Sequence, residues 1–310
     1  MAFCFKKRES VPKGVRRLGR ERIDNVFKCL KKPRRAEAIH AARKDIKKVR
    51  AVLRLVRTKI RKKDYNRLLD HLREAANQLA APRDAYVRTT TLRNLSRRYK
   101  NQLKAGALRH VQLELQLSYD DEMKRFTKEK AAKAVERMRR RVAREWDRLK
   151  VDGKGWKALC PGVNAAYTRG QEVYHLVLKD PSPENFHLWR KRAKDLWYHV
   201  TLLRRLWPEQ MEAMAHGLET LGEYLGDDHD LEMLQLEVEA KCSDDGNTRE
   251  VETLKALIDE RQRELRAAAL ALGSRFYAEK PSAFRARLAG YWRLWRHEKK
   301  PGIEAAETAA

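Results

Sequence analysis

Two stretches of the chain, 147 residues apart, repeat the pattern His-x-x-Arg-Lys-x-x-Lys beside apolar stripes of equal phase, and this pairing restricts how the chain can fold. The first copy is His40-Ala-Ala-Arg43-Lys44-Asp45-Ile46-Lys47, the second His187-Leu-Trp-Arg190-Lys191-Arg192-Ala193-Lys194. On an α-helix the four patterned residues share one side, so each copy gathers four potential cations. Ile39, Ala42, Ile46, Val49, Leu53, Val56 and Ile60 form the apolar stripe of the first helix. Phe186, Trp189, Ala193, Leu196, Val200 and Leu203 occupy the same phase in the second. Each helix thus has a face for the core beside a face for an anion. The first cationic row continues through Arg50, Arg54 and Arg57, about 25 Å along the axis at roughly 1.5 Å per residue. The second is interrupted by Trp197 and Thr201 and resumes only at Arg204, which implies an asymmetric groove.

Like charges spaced four apart destabilise a helix by a few tenths of a kcal/mol per pair, so such a face needs an offsetting ligand. A solvated basic face would explain one such run where 36% of residues are charged. It does not explain two that share residue type, spacing and phase. A formal net charge of +27 implies a negatively charged partner: nucleic acid, an anionic membrane or an inorganic polyanion. Residues 1–60 alone hold 21 Lys/Arg against five Asp/Glu.

Glycine and proline are sparse, apolar residues recur at helical spacing, and no alternating strand pattern appears, so the expected class is all-α. Helices are expected near 14–31, 35–61, 64–80, 84–104, 118–150, 162–179, 183–207, 209–225, 229–241, 248–278 and 282–298. Ser182-Pro183-Glu184 carries an N-cap, a first-position proline and a first-turn acid. The repeat extends outward: Gly14-Val15 answers Gly162-Val163, and Arg83-Asp84 answers His229-Asp230. Short connections favour antiparallel bundles. The architecture expected is two pseudo-symmetric bundles, about 10–150 and 160–298, forming one domain over 10–300 around a basic groove, with a tail at 301–310.

Cys4, Cys29, Cys160 and Cys242 form no Cys-x-x-Cys pair, which argues against a zinc site or a disulfide framework. No stretch approaches the roughly 18 apolar residues of a membrane span, and the first residues lack the apolar region of a signal peptide. A cytoplasmic protein is expected.

With its duplicated His-x-x-Arg-Lys-x-x-Lys, the following Arg50 and Leu53, and the acids Asp84 and Asp230, the chain resembles the CHAD family, the conserved histidine α-helical domain. The resemblance spans about 10–300. It implies a helical domain that binds inorganic polyphosphate on a central basic surface and is often targeted to polyphosphate granules. Carried over by position, the ligand-facing residues are His40, Arg43, Lys44, Lys47 and Arg50 with His187, Arg190, Lys191 and Lys194. The basic rows add Arg54, Arg57 and Arg204 to the candidate site. The family's Arg-Asp-x-Asp-Val appears as Arg83-Asp84-Ala85-Tyr86-Val87, without the second acid, and Asp195 and Trp197 stand where the first copy has Lys48 and Arg50.

Two roles fit His40 and His187: donors to phosphate oxygens, with binding tightening as pH falls through neutrality, or structural histidines held by a carboxylate. Asp84 and Asp230 are expected to cap helices or orient the cations. Consecutive residues such as Asp227-Asp228-His229-Asp230 diverge at a helix start, so no metal site is expected. Glu237-Val238-Glu239-Ala240-Lys241 matches the Glu-x-Glu-x-Lys of the CYTH tunnel enzymes, whose chemistry needs a strand; here the leucine spacing reads as helix. The seven tryptophans fall mostly at core phases. No nucleophile, triad or phosphate-loop pattern appears, and no catalytic site or cofactor is expected. The leading function is therefore non-enzymatic polyphosphate binding. The alternative is a helical protein tracking a nucleic-acid backbone, against which stands the lack of exposed aromatics or a base-reading helix beside the two rows.

Overall fold

Helices account for almost all of the described chain, and no strand occurs among the described residues, as the periodicity predicts. The computed structural model describes residues 3–30, 35–104, 106–128, 131–242 and 248–298. The tail expected at 301–310 lies outside the described residues.

The first part comprises α1 (Val11–Leu30), α2 (Arg35–Leu55), a short 3-10 helix (Arg57–Lys59), α3 (Lys62–Asn77), α4 (Ala80–Arg98), α5 (Arg109–Lys128) and α6 (Ala131–Asp147). The second comprises α7 (Trp156–Lys179), α8 (Pro183–Leu202), α9 (Pro208–Cys242), α10 (Thr248–Phe276) and α11 (Pro281–His297).

Two expectations change. The single helix expected over 118–150 is two helices with different packing partners: α5 lies on α4, while α6 buries Val135, Val142 and Trp146 against α1 and α3. Gly106, at φ 80°, reverses the chain before α5. Conversely, the helices expected at 209–225 and 229–241 are one, α9, running through Gly226-Asp227-Asp228. A helical glycine costs about 1 kcal/mol relative to alanine. Burial of Leu218, Leu221, Leu225, Leu231, Leu234 and Val238 at about 1.5–3 kcal/mol each outweighs that. The buried acid in this stretch is paired from α10, where Arg266 Nε donates to Asp228 at 2.7 Å and Gln262 Nε2 to the Asp228 carbonyl at 3.1 Å. Asp84 and Asp230 sit inside α4 and α9 and cap neither. Ser182 precedes α8 as expected, but its hydroxyl turns to Asp180 at 3.3 Å and does not cap.

The predicted apolar stripes are the core. Ile39, Ala42, Ile46, Val49 and Leu53 of α2 are buried, with Val56 just beyond its end, as are Phe186, Trp189, Ala193, Leu196 and Val200 of α8. They belong to one apolar cluster that runs through both halves of the chain. A second cluster joins the end of α4 and the start of α5 to α9 and α10, through Leu92, Leu95, Val111, Leu234, Leu254 and Ile258. Helix α9 contributes to both.

Between the halves, Gly153 and Gly155 take left-handed conformations at φ 89° and 55°, and the Asp152 N–H donates to the Lys59 carbonyl at 2.7 Å. This turn sets α7 so closely on α2 that a Cβ on Gly162 would overlap the Leu55 carbonyl. Helices α2 and α8 lie side by side, joined where His199 Nε2–H donates to the Ala51 carbonyl at 3.2 Å and Arg54 meets Asp195 at 2.8 Å. On the flank, buried Asp45 accepts from Arg22 of α1 at 3.4 Å.

Trp189 is fully buried, with its ring 5.3 Å from that of Tyr174 and 6.3 Å from that of Phe186. Trp189→Ala is expected to destabilise the fold by about 3–5 kcal/mol, measured as a lowered denaturant midpoint in chemical unfolding.

Candidate anion-binding cavity

With the stripes of α2 and α8 turned inward, their polar sides open onto a cavity of about 400 Å³ closed by α4 and α9. α2 lines it with His40, Arg43, Lys44 and Lys47, and α8 with His187 and Arg190. α4 supplies Arg83, Asp84, Val87 and Arg88, and α9 supplies His229, Asp230 and Met233. The first copy of the repeat gives four wall residues, the second two.

Helix α9 makes room for the second copy. A Cβ on Gly222 would overlap Lys194 Cε, and one on Gly226 would come within 3.4 Å of the Arg190 guanidinium. At Gly222 the absent side chain leaves the space that the end of Lys194 occupies, whereas at Gly226 a Cβ would make only an ordinary contact with Arg190.

Six lysine and arginine groups face two carboxylates here. Arg43 donates to the Ala76 carbonyl at 3.0 Å and lies 3.8 Å from Asp84; Arg88 reaches Glu237 at 3.3 Å. Lys47 is the most crowded ammonium. Burial pushes its pKa down to about 8, and Arg190, Arg43, Lys194 and Arg83 press the same way. Burial pushes the Asp230 carboxyl up against the opposing pull of Arg190, Arg83 and Lys47.

The three histidines behave alike. The rings of His187 and His229 lie 3.9 Å apart at 38°. Burial, reinforced by neighbouring cations, pushes His40, His187 and His229 down to about 4. All three are neutral at neutral pH in the free protein. Around them, His187 Nδ1 and Arg190 Nε are buried without a hydrogen-bond partner. Buried polar atoms of this kind ordinarily have one.

The other predicted residues lie elsewhere. Lys191 is exposed and lies outside the wall. Lys194 is largely buried between Arg190, Glu219, Glu223 and Lys44, with Nζ 4.7 Å from the Trp197 ring centre. Arg204 lies in the turn after α8. Arg50 is buried near Arg54, Arg73 and Asp195. The extended row is not continuous: α2 ends at Leu55, and Arg54 and Arg57 line a separate cavity. Arg83, Arg88 and His229 join the wall without having been singled out as ligand-facing; the signal for two of them was the paired Arg83-Asp84 and His229-Asp230. Among the described residues, no group of three His, Cys, Asp or Glu side chains is placed to hold a metal ion. The Glu-x-Glu-x-Lys run is helical, within α9.

The CHAD domain family model matches residues 18–239. Two solved structures share the fold. The CHAD domain from the plant Ricinus communis aligns with a TM-score of 0.67 and 16% identity, over 90% of this chain and 96% of that one. PptA from Streptomyces chartreusis aligns with a TM-score of 0.63 and 14% identity, over 86% of this chain and 98% of that one. No curated protein matches significantly.

The depressed histidines make the fold acid-sensitive. In the unfolded chain they take up protons near the ordinary 6.5, whereas in the fold they resist until about 4, so stability is lost as pH falls between those values. Asp195, Asp227, Asp228 and Asp230, raised by burial, act in the opposite sense. Comparison with the variant His40→Gln/His187→Gln/His229→Gln isolates the histidine part. Its melting temperature is expected to fall less than that of the parent between pH 7 and pH 5, read by circular dichroism without added polyanion.

Proposed function

The chain belongs to the CHAD domain family, and from that premise we propose that it binds inorganic polyphosphate, without chemistry, in the cavity between α2, α4, α8 and α9. The observation that carries this reading is the convergence of Arg43, Lys44, Lys47, Arg83, Arg88 and Arg190 on one space where, among the described residues, Asp84 and Asp230 are the only carboxylates in the wall. A polyanion relieves that crowding. Arginine forks and lysine point charges suit successive phosphates of a flexible chain without any sequence readout. The wall acids also favour binding over catalysis, since Asp84 lies against Arg43 and Asp230 among Arg190, Arg83 and Lys47.

Residues 10–300 act here as one domain of two repeats, with the groove at their junction. Association with polyphosphate granules follows from the binding itself, within the cytoplasm. No helix among the described residues is long and apolar enough to cross a membrane.

Nucleic acid is the weaker ligand in this reading, because no Phe, Tyr or Trp among the described residues lines the cavity to stack on a base. Titration with long-chain polyphosphate, duplex DNA and single-stranded RNA at near-physiological salt is expected to rank polyphosphate first; equal or tighter nucleic-acid binding overturns the proposal. Lys47→Gln with Arg190→Gln is a better site test than any pair that includes Lys191, which lies outside the cavity wall. It is expected to weaken polyphosphate binding at least about tenfold, with melting little changed.

The pH dependence lies on the alkaline side. A bound polyanion raises the pKa of Lys47, so affinity falls as pH rises through the free value of about 8 toward the bound one. Lys47→Arg, charged throughout, is expected to flatten that limb in titrations from pH 7 to pH 10. The histidine effect is displaced from neutrality to the acid range, because their free values near 4 leave them neutral at pH 7.

A further inference from the structure

We propose that the chain carries a second anion site, at the cavity between the end of α2, the 3-10 helix, α7 and α8, and that it takes a doubly charged phosphoryl group. This goes beyond the reading of the first cavity, with which it shares no lining residue. The cavity measures about 350 Å³ and is lined by Arg54, Arg57, Arg169 and Arg192 around one carboxylate, Asp195.

That carboxylate is already engaged. It lies 2.8 Å from Arg54 and 3.5 Å from Arg192, which leaves a surplus of positive charge in the enclosed space. Arg57 and Arg169 make no ion pair with a described carboxylate. The Arg57 guanidinium is held 5.2 Å from the Tyr65 ring centre, an arrangement that fixes its plane and leaves its edge free to donate.

An unpartnered buried donor points the same way: Arg54 Nε, in the wall of this cavity, is buried with no hydrogen-bond partner. Guanidinium forks reach this space from the end of α2, from α7 and from α8. A tetrahedral group with several acceptor oxygens meets forks from three directions, whereas a planar carboxylate meets one well. The group has two sources of the same chemistry: free inorganic phosphate or the end of a polyphosphate chain.

The test is equilibrium dialysis of the full chain with radiolabelled inorganic phosphate. Measured in the Lys47→Gln/Arg190→Gln background, which removes the first cavity's own share of phosphate, the added Arg169→Gln/Arg192→Gln is expected to weaken phosphate binding at least about tenfold. No uptake by the parent at millimolar phosphate, or equal uptake with and without Arg169→Gln/Arg192→Gln in that background, overturns the proposal. If that variant does not fold, phenylglyoxal footprinting of the parent replaces it: phosphate is expected to protect Arg57 and Arg169, and lack of protection overturns the site. A polyphosphate titration then separates the sources. Weaker polymer binding by the Arg169→Gln/Arg192→Gln variant, with phosphate competing, assigns the site to a chain end; unchanged polymer binding assigns it to free phosphate. Failure of the first-cavity reading would show instead as polymer affinity indifferent to Lys47→Gln/Arg190→Gln.

Discussion

Everything in this molecule depends on holding α2 against α8 while both present cations to the same space. Lys47 lies near Arg190 and Lys194, and Lys44 near Lys194. Two like charges 4 Å apart repel by about 1–4 kcal/mol between water and a protein-surface dielectric. Against this stand the buried stripes from Ile39 to Val56 and from Phe186 to Leu203, in which each large side chain contributes about 1.5–3 kcal/mol. The stripes win, and burial, with the neighbouring cations adding to it, shows as depressed lysine and histidine pKa values rather than as separation of the helices.

The same balance joins stability to ligand. A network that resists protonation in the free protein would accept it once phosphate oxygens were near, so on the proposed reading a bound polyanion would stabilise the fold. The polar atoms left without partners in both cavities belong to this pattern. They are the places where the folded chain has not satisfied itself.

The elements most legible in the sequence were those where one physical signal dominated. The periodicity around His40 and His187 placed α2 and α8, and the phase of Trp189 placed it in the core. The wall of the cavity was half legible. Arg83 and Arg88 reach it from α4 only because of how α4 packs beside α2, and periodicity within one helix says nothing about a neighbour. Gly226 next to two acids reads as a helix start, but it lies inside α9, carried through by the buried Leu221, Leu225, Leu231 and Leu234 on either side. The row from Lys47 to Arg57 failed as a continuous track because Asp195, a residue of the other repeat, draws Arg54 toward a different cavity.

Helix α9 has a mechanical consequence. Its 35 residues make a strut about 50 Å long at 1.5 Å per residue, anchored in both apolar clusters, with His229 and Asp230 on its flank between them. A wall spliced from two shorter helices would let the clusters part like jaws around an entering chain. A single strut denies the cavity that hinge. On the proposed reading, accommodation would fall to arginine and lysine side chains and to α4, and a long polymer would be received by rearranging its counter-charges within a mouth of nearly fixed width.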